Sequence, residues 1–235
     1  MKSFIRYLAE ATTPISHKKA QSDFEKVLLP LVGKEVTPAQ IAKATERLSK
    51  KYFFSTTVRT HAQLDKSQIS IVGFYDIEGD QEWQEDKSAD YPIEIFLLFS
   101  PKDKKLSFVK DDVARLSYGL ADTIVHERLH MDQAKARNYK QVPHKKKYVH
   151  KVENIQIGSY LARDDEIEAY ALNIALALKD HFHTQKERFD FLKRPKQGVI
   201  QDPHFDQYLD VFGFGHPVVK RLFKKIVGYL NNAKL

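Results

Sequence analysis

The chain of 235 residues contains no cysteine, which excludes disulfide bonds and thiolate metal ligands. Any transition metal would have to be held by histidine and carboxylate side chains. Glycine and proline are sparse, with nine of each, and no internal repeat or low-complexity linker is present. No apolar run approaches the roughly 18 residues of a membrane-spanning helix. These absences favour one domain, or one domain with extensions.

Aromatic and basic side chains are abundant. Fifteen phenylalanines and eleven tyrosines provide apolar volume for a core and argue against a disordered chain. The formal net charge of +7 at pH 7 weakly favours acidic partners. No nucleic-acid-binding motif accompanies this charge, so nucleic acid is a disfavoured partner that composition alone leaves open.

Hydrophobic patterning predicts an α+β fold in three zones. Residues 1–52 are predicted to form a helical N-terminal extension, with a short first helix and further helices near 22–29 and 37–51. Residues 53–235 would form the main domain, in which a sheet over 53–110 precedes a helical part over 111–235 with a loop at about 138–163. The predicted strands lie near 53–60, 68–75, 91–99 and 106–109. The third strand contains an unbroken apolar run over 95–99, which favours burial over a free edge that would bind substrate.

The most informative phrase of the chain is an HExxH motif, His126-Glu127-Arg128-Leu129-His130. Residues four apart lie on one face of a helix, so the two imidazoles can bind one metal ion. Glu127 can then accept a proton from a water molecule whose pKa that metal lowers. The motif thus supplies two ligands and a general base for hydrolysis, although it also occurs by chance in solvated helices.

The surroundings of the motif favour a buried helix from Asp111 to about Arg137. Acidic residues suit its N-terminus, and apolar residues recur at helical spacing. This stripe consists of Val113, Leu116, Leu120, Ile124 and Met131. Buried histidines need partners, because burying an unpaired polar group is costly. Asp122 lies four residues before His126, so we expect that its carboxylate can orient this ligand.

A hydrolytic metal site usually has a third protein ligand. The extended pattern HExxHxxGxxH is absent, because Gln133 replaces its glycine and Ala136 its last histidine. A second helix is predicted over about 164–181, with Glu166 in its first turn. Small residues on the same face, beginning with Ala169, would let this helix pack closely against another.

These two helices resemble those of the gluzincin group of zinc metallopeptidases, in which an HExxH helix is followed by a helix bearing E-x-x-A. The match is the HExxH together with Glu166 and Ala169, and it covers roughly residues 111–182. It implies a zincin-like fold, in which a small sheet precedes the HExxH helix and the second ligand-bearing helix, with helical N- and C-terminal extensions.

The resemblance also implies a site and a reaction. Zn²⁺ would be held by His126, His130 and Glu166, and Glu127 would be the general base for hydrolysis of a peptide bond in a protein or in peptidoglycan stems. Glu168 is a competing ligand, but it points about 200° away from Glu166 on an ideal helix, so only one of the two can face the metal.

Two other interpretations stay open. His144 and His150 follow the motif in a lysine-rich stretch, and a later histidine resembles the SprT-like proteases that act on DNA-attached proteins. A solvated cationic loop is the favoured explanation of this stretch, because histidines in such a loop need no metal. Alternatively, the chain is a non-catalytic structural protein, such as a phage virion component, in which a zincin-like domain binds zinc for stability or assembly.

The opening residues 1–10 carry charges at Lys2, Arg6 and Glu10, so they lack the hydrophobic region of a signal peptide. They are similar to the first residues of many proteins of T4-like bacteriophages. We therefore expect a cytoplasmic protein without a membrane span, located in a host cell or a virion, whose partners are a protein or peptide substrate and, in a virion, other virion proteins.

An acyl-transfer site also needs a hydrogen-bond donor for the oxyanion of the tetrahedral intermediate. The candidates are Tyr160, Tyr170, His204 and His216. Sequence does not distinguish among them, and each also suits a structural role.

Overall fold

The computed structural model of the chain describes residues 15–78, 80–81, 91–140, 155–200 and 202–232. These residues form a mixed α+β structure, so the predicted α+β class is confirmed at this level. They divide into two compact units, one of residues 15–139 and one beginning at residue 140. The proposed division of roles between residues 1–52 and 53–235 stays a prediction, and the first predicted helix lies outside the described residues.

The first unit opens with helices α1 (His17–Leu28), α2 (Pro38–Thr45) and α3 (Ser49–Tyr52), joined by 3₁₀ turns. Helix α1 begins earlier than predicted because the Ser16 side chain caps it, accepting a hydrogen bond from the Lys19 N–H at 3.4 Å. Thr37 and Gln40 form a capping box at the start of α2. Local capping thus fixes where these helices begin.

The first unit contains strands β1 (Glu35–Val36), β2 (Phe54–Thr60), β3 (Ile69–Tyr75), β4 (Ile93–Phe99) and β5 (Leu106–Ser107). Strands β2, β3 and β4 form a three-stranded sheet. Its order is β2-β4-β3, with β2 parallel and β3 antiparallel to β4. Because β4 is central, the alternative that it presents a free edge is wrong. The predicted fourth strand, β5, pairs with β1 in a separate two-stranded ribbon.

One face of the sheet is covered by α4 (Lys110–Ala136), the helix that carries the HExxH motif. The core-facing side chains of β4 are fully buried, and so is the predicted stripe of α4, from Val113 to Met131. At the start of α4, Asp112 accepts a hydrogen bond from the Val109 N–H at 2.9 Å. The predicted HExxH helix is therefore confirmed, with bounds within a residue of those expected.

The second unit is helical: α5 (Ile155–Leu161), α6 (Asp164–His181), α7 (Gln185–Lys193), α8 (Pro203–Phe212) and α9 (Pro217–Leu230). The predicted second helix corresponds to α6. The loop predicted over about 138–163 is wrong in part, because its last turns form α5. Helix α9 buries its apolar side against α6. Within the described ranges, no helix is long and apolar enough to cross a bilayer.

Candidate metal centre

His126 and His130 project from the same side of α4, as their spacing of four residues predicts. Their Nε2 atoms lie 3.0 Å apart. The rings meet edge to face, with centroids 4.7 Å apart and an angle of 79° between the planes. This arrangement directs one nitrogen of each ring toward a common point, and both side chains are at least partly shielded from solvent.

Gln133 contacts a histidine of the motif, and this contact was not identified from the sequence. Its Oε1 lies 3.1 Å from Nδ1 of His130, and its side chain is almost completely buried. Because an amide oxygen accepts hydrogen bonds, this contact favours the His130 tautomer that carries its proton on Nδ1 and a lone pair on Nε2. This contact could have been predicted from the sequence, because Gln133 follows His130 by three residues and residues three apart are neighbours on a helix.

Glu127 is 7% exposed and turns from α4 toward strand β3. Its carboxylate lies against Gly73, so close that a Cβ atom built on this glycine would stand 2.6 Å from Oε1 of Glu127. Asp122 lies one turn before His126 and is half-buried. Its predicted hydrogen bond to His126 stays a prediction.

In the second unit, Glu166 occupies the first turn of α6 and is 6% exposed. The positive end of the helix dipole favours a carboxylate there. Its backbone N–H donates to Oδ1 of Asp165 at 3.2 Å. The helix dipole thus bears on the Glu166 carboxylate, whereas the contact with Asp165 involves only the Glu166 backbone.

Glu168, the competing ligand, belongs to a different contact. It accepts a hydrogen bond from the Tyr229 hydroxyl at 2.8 Å and forms an ion pair with Lys225, both on α9. The two glutamates of α6 therefore point in different directions, as their spacing predicts, and Glu168 joins α6 to α9.

The candidate oxyanion donors divide into two groups. The hydroxyls of Tyr160 and Tyr170 lie 3.5 Å apart, and burial together with the charge of Glu166 raises the pKa of Tyr160, which keeps its proton. The ring of His204 lies 4.4 Å from that of Tyr170. His216 instead caps α9, because its Nδ1 accepts a hydrogen bond from the Val218 N–H at 3.2 Å. Burial lowers the pKa of His216.

Among the described residues, one group of side chains could hold a metal ion. It consists of His126, His130 and Glu166, whose ligand atoms all lie within 4.8 Å of one another. These are the three residues predicted as ligands. His144 and His150, the alternative third ligands, lie outside the described residues.

Comparison of the chain with models of protein families, with curated proteins and with solved structures gives no match.

Proposed function

We propose that the protein is a zinc-dependent peptidase with a zincin-like arrangement, in which a small sheet precedes the HExxH helix and a second ligand-bearing helix. One observation carries this proposal. Two imidazoles and a buried carboxylate place ligand atoms within 4.8 Å of one another, and the residue after the first imidazole is a buried glutamate.

The donor set fits zinc. Zinc accepts imidazole nitrogen and carboxylate oxygen, and hydrolytic sites combine three protein ligands with one open position. Two nitrogens bound tetrahedrally to one zinc at about 2.0–2.1 Å would stand about 3.3–3.4 Å apart. The Nε2 atoms of His126 and His130 are already 3.0 Å apart, so only a small adjustment separates them from that arrangement.

The chemistry would be divided between the metal and the chain. A bound zinc ion supplies a Lewis acid that lowers the pKa of water and polarises a carbonyl. Glu127 accepts the proton from the attacking water and returns it to the leaving amine. The hydroxyls of Tyr160 and Tyr170 are protonated donors for the developing oxyanion.

Strand β3 suggests how a peptide would be held. In the described part of the chain, β4 is the only strand paired with β3. The Asp76 N–H donates to the Pro92 carbonyl at 2.8 Å, and antiparallel pairing alternates along the strand. The N–H and C=O groups of Gly73 therefore face the open edge, where an extended substrate can add as a further strand.

Metal analysis combined with matched variants tests the proposal. We expect about one zinc per chain and cleavage of members of a quenched fluorescent peptide library. Glu166→Gln should lower zinc affinity strongly because it removes an anionic ligand, whereas the control Asp165→Asn changes its neighbour in the same turn and should not. Glu127→Gln should retain zinc and slow cleavage by roughly 10²-fold or more.

The outcomes separate the proposal from the two alternatives. A protein that binds zinc but cleaves nothing, and whose Glu127→Gln variant behaves like wild type in every assay, would be a metal-bound scaffold. Retention of zinc by Glu166→Gln with loss in His144→Ala or His150→Ala would favour the SprT-like arrangement. Absence of zinc uptake by the wild type would contradict all three.

A further inference from the structure

The face of α4 that lies on strand β3 is formed by residues spaced four apart: Gly119, Thr123 and Glu127. The side of β3 that they meet is formed by residues spaced two apart. Gly119 approaches Ile71, while Thr123 and Glu127 both approach Gly73. These three residues of α4 therefore pack along one side of β3. Gly73 occupies the strand position that faces Glu127, the predicted general base.

The contact at Gly73 leaves no room for a side chain. A Cβ atom built there would stand 2.5 Å from Cγ2 of Thr123, 2.6 Å from Oε1 of Glu127 and 2.8 Å from Cγ of Glu127. All three distances are below 3.0 Å, which real Cβ atoms essentially never show. Two of the three crowded atoms belong to Glu127, so a side chain at position 73 must displace this glutamate.

We propose that Gly73 is a positioning residue for Glu127. Because it has no side chain, the carboxylate of Glu127 lies directly against the strand, which fixes its place beside the two histidines of α4. The three atoms nearest to the added Cβ all belong to Thr123 and Glu127, and none belongs to His126 or His130. This inference rests on the proposed function, because Glu127 matters only if it transfers a proton.

The expected displacement can be estimated from the contacts. An ordinary contact begins at 3.4 Å, so Oε1 of Glu127 must retreat by roughly 0.8 Å when Gly73 becomes alanine. Misplacement of a catalytic group by about 1 Å can cost about 10²-fold in rate. We therefore expect Gly73→Ala to lower kcat by about 10- to 100-fold with little change in KM or zinc content.

Gly119→Ala is the matched control. It adds the same methyl group to the same helix–strand contact, where its Cβ would stand 2.8 Å from Cδ1 of Ile71, the flexible end of a side chain. It does not touch Glu127. If crowding between α4 and β3 were the cause of any loss, both glycine variants would lose kcat; under the proposal only Gly73→Ala does.

A double variant shows whether Thr123 or Glu127 causes the loss of kcat in Gly73→Ala. It also keeps the test usable if Gly73→Ala alone fails to fold. Thr123→Ser removes Cγ2, the atom closest to the added methyl group. Thr123→Ser with Gly73→Ala should therefore recover stability but not kcat, because the contacts with Glu127 remain. Recovery of kcat to the level of Thr123→Ser alone would show that Gly73 accommodates Thr123, and would overturn the proposal.

Crystal structures of Gly73→Ala and Gly119→Ala supply a readout that needs no substrate. We expect the Glu127 carboxylate to shift in the first variant and to keep its place in the second. An unmoved carboxylate in Gly73→Ala would overturn the inference even if the protein is a peptidase. Conversely, a shifted carboxylate in a protein that cleaves nothing would uphold the geometry and contradict the proposed function.

Discussion

Removal of the Gln133 side-chain oxygen is the change that tests the candidate metal centre most directly. Oε1 of Gln133 lies 3.1 Å from Nδ1 of His130, and Gln133 is 3% exposed. In Gln133→Leu, a side chain of similar size offers no acceptor. Nδ1 then loses the partner that holds its proton, and the tautomer that presents a bare Nε2 to the centre is no longer selected.

The magnitude follows from the burial of this contact. A buried donor left without its partner costs about 1–3 kcal/mol. A histidine that binds a metal usually makes a hydrogen bond with its other ring nitrogen. Loss of that bond typically lowers metal affinity by about 10- to 100-fold, which corresponds to about 1.4–2.8 kcal/mol. The two estimates agree, so we expect Gln133→Leu to weaken zinc binding by one to two orders of magnitude.

Competition against a chromogenic zinc chelator measures the affinity, with circular dichroism to verify folding. Gln133→Glu is the control, because it keeps the size and the acceptor oxygen and should bind zinc at least as tightly as the wild type. An affinity of Gln133→Leu within twofold of wild type would refute the reasoning, since the hydrogen bond would then have no role in presenting His130.

Two further predictions concern stability. Tyr229→Phe removes the buried donor to Glu168, so the free energy of unfolding in urea should fall by about 1.5–3 kcal/mol without a change in zinc affinity; a change below about 0.5 kcal/mol would contradict this. Burial raises the pKa of Asp202, so its carboxyl contributes stability that is fully present below about pH 3.9 and is lost as the pH rises through the higher folded-state pKa. Asp202→Asn keeps an acceptor for the N–H groups at the start of α8, and its unfolding free energy should fall less over this pH window than that of wild type, whereas equal slopes would count against the assignment.

The helices were predictable because their signals are local. The apolar stripe of α4 repeats at helical spacing, so its burial could be read from a few turns of sequence. The bounds of α6 were predicted by the same means. The helix α5 was missed, because its seven residues are too few to establish a period.

The order of the strands was not predictable from local patterns. The composition of β2, β3 and β4 predicted strands, but the sheet places β4 between the other two. This order follows from pairings between residues far apart in the chain, from Tyr75 with Ile93 to Phe54 with Ile93. A single sequence contains no signal for such pairings beyond alternation, and alternation is compatible with several orders.

Gly73 illustrates the same limit within the site. An isolated glycine inside a strand pattern indicates a bulge or a close approach of another segment. Sequence could therefore indicate that something lies against this position. It could not indicate that the neighbour is Glu127, because that depends on which strand α4 covers and on the register between helix and strand.

The two acidic residues of α6 show what sequence can and cannot distinguish. Glu166 and Glu168 have the same chemistry and are two positions apart, so helical geometry predicts only that they point in different directions. The choice between them depends on partners elsewhere in the chain.

The partners of Glu168 lie on α9. Lys225 forms an ion pair with one oxygen of Glu168, and the Tyr229 hydroxyl donates a hydrogen bond to the other. Glu168 would have to give up both its ion pair with Lys225 and its hydrogen bond from Tyr229 before it could bind a metal. Glu166 belongs instead to the group of His126, His130 and Glu166 that could hold a metal ion. The partners of Glu168 on α9 therefore favour Glu166 as the proposed third ligand.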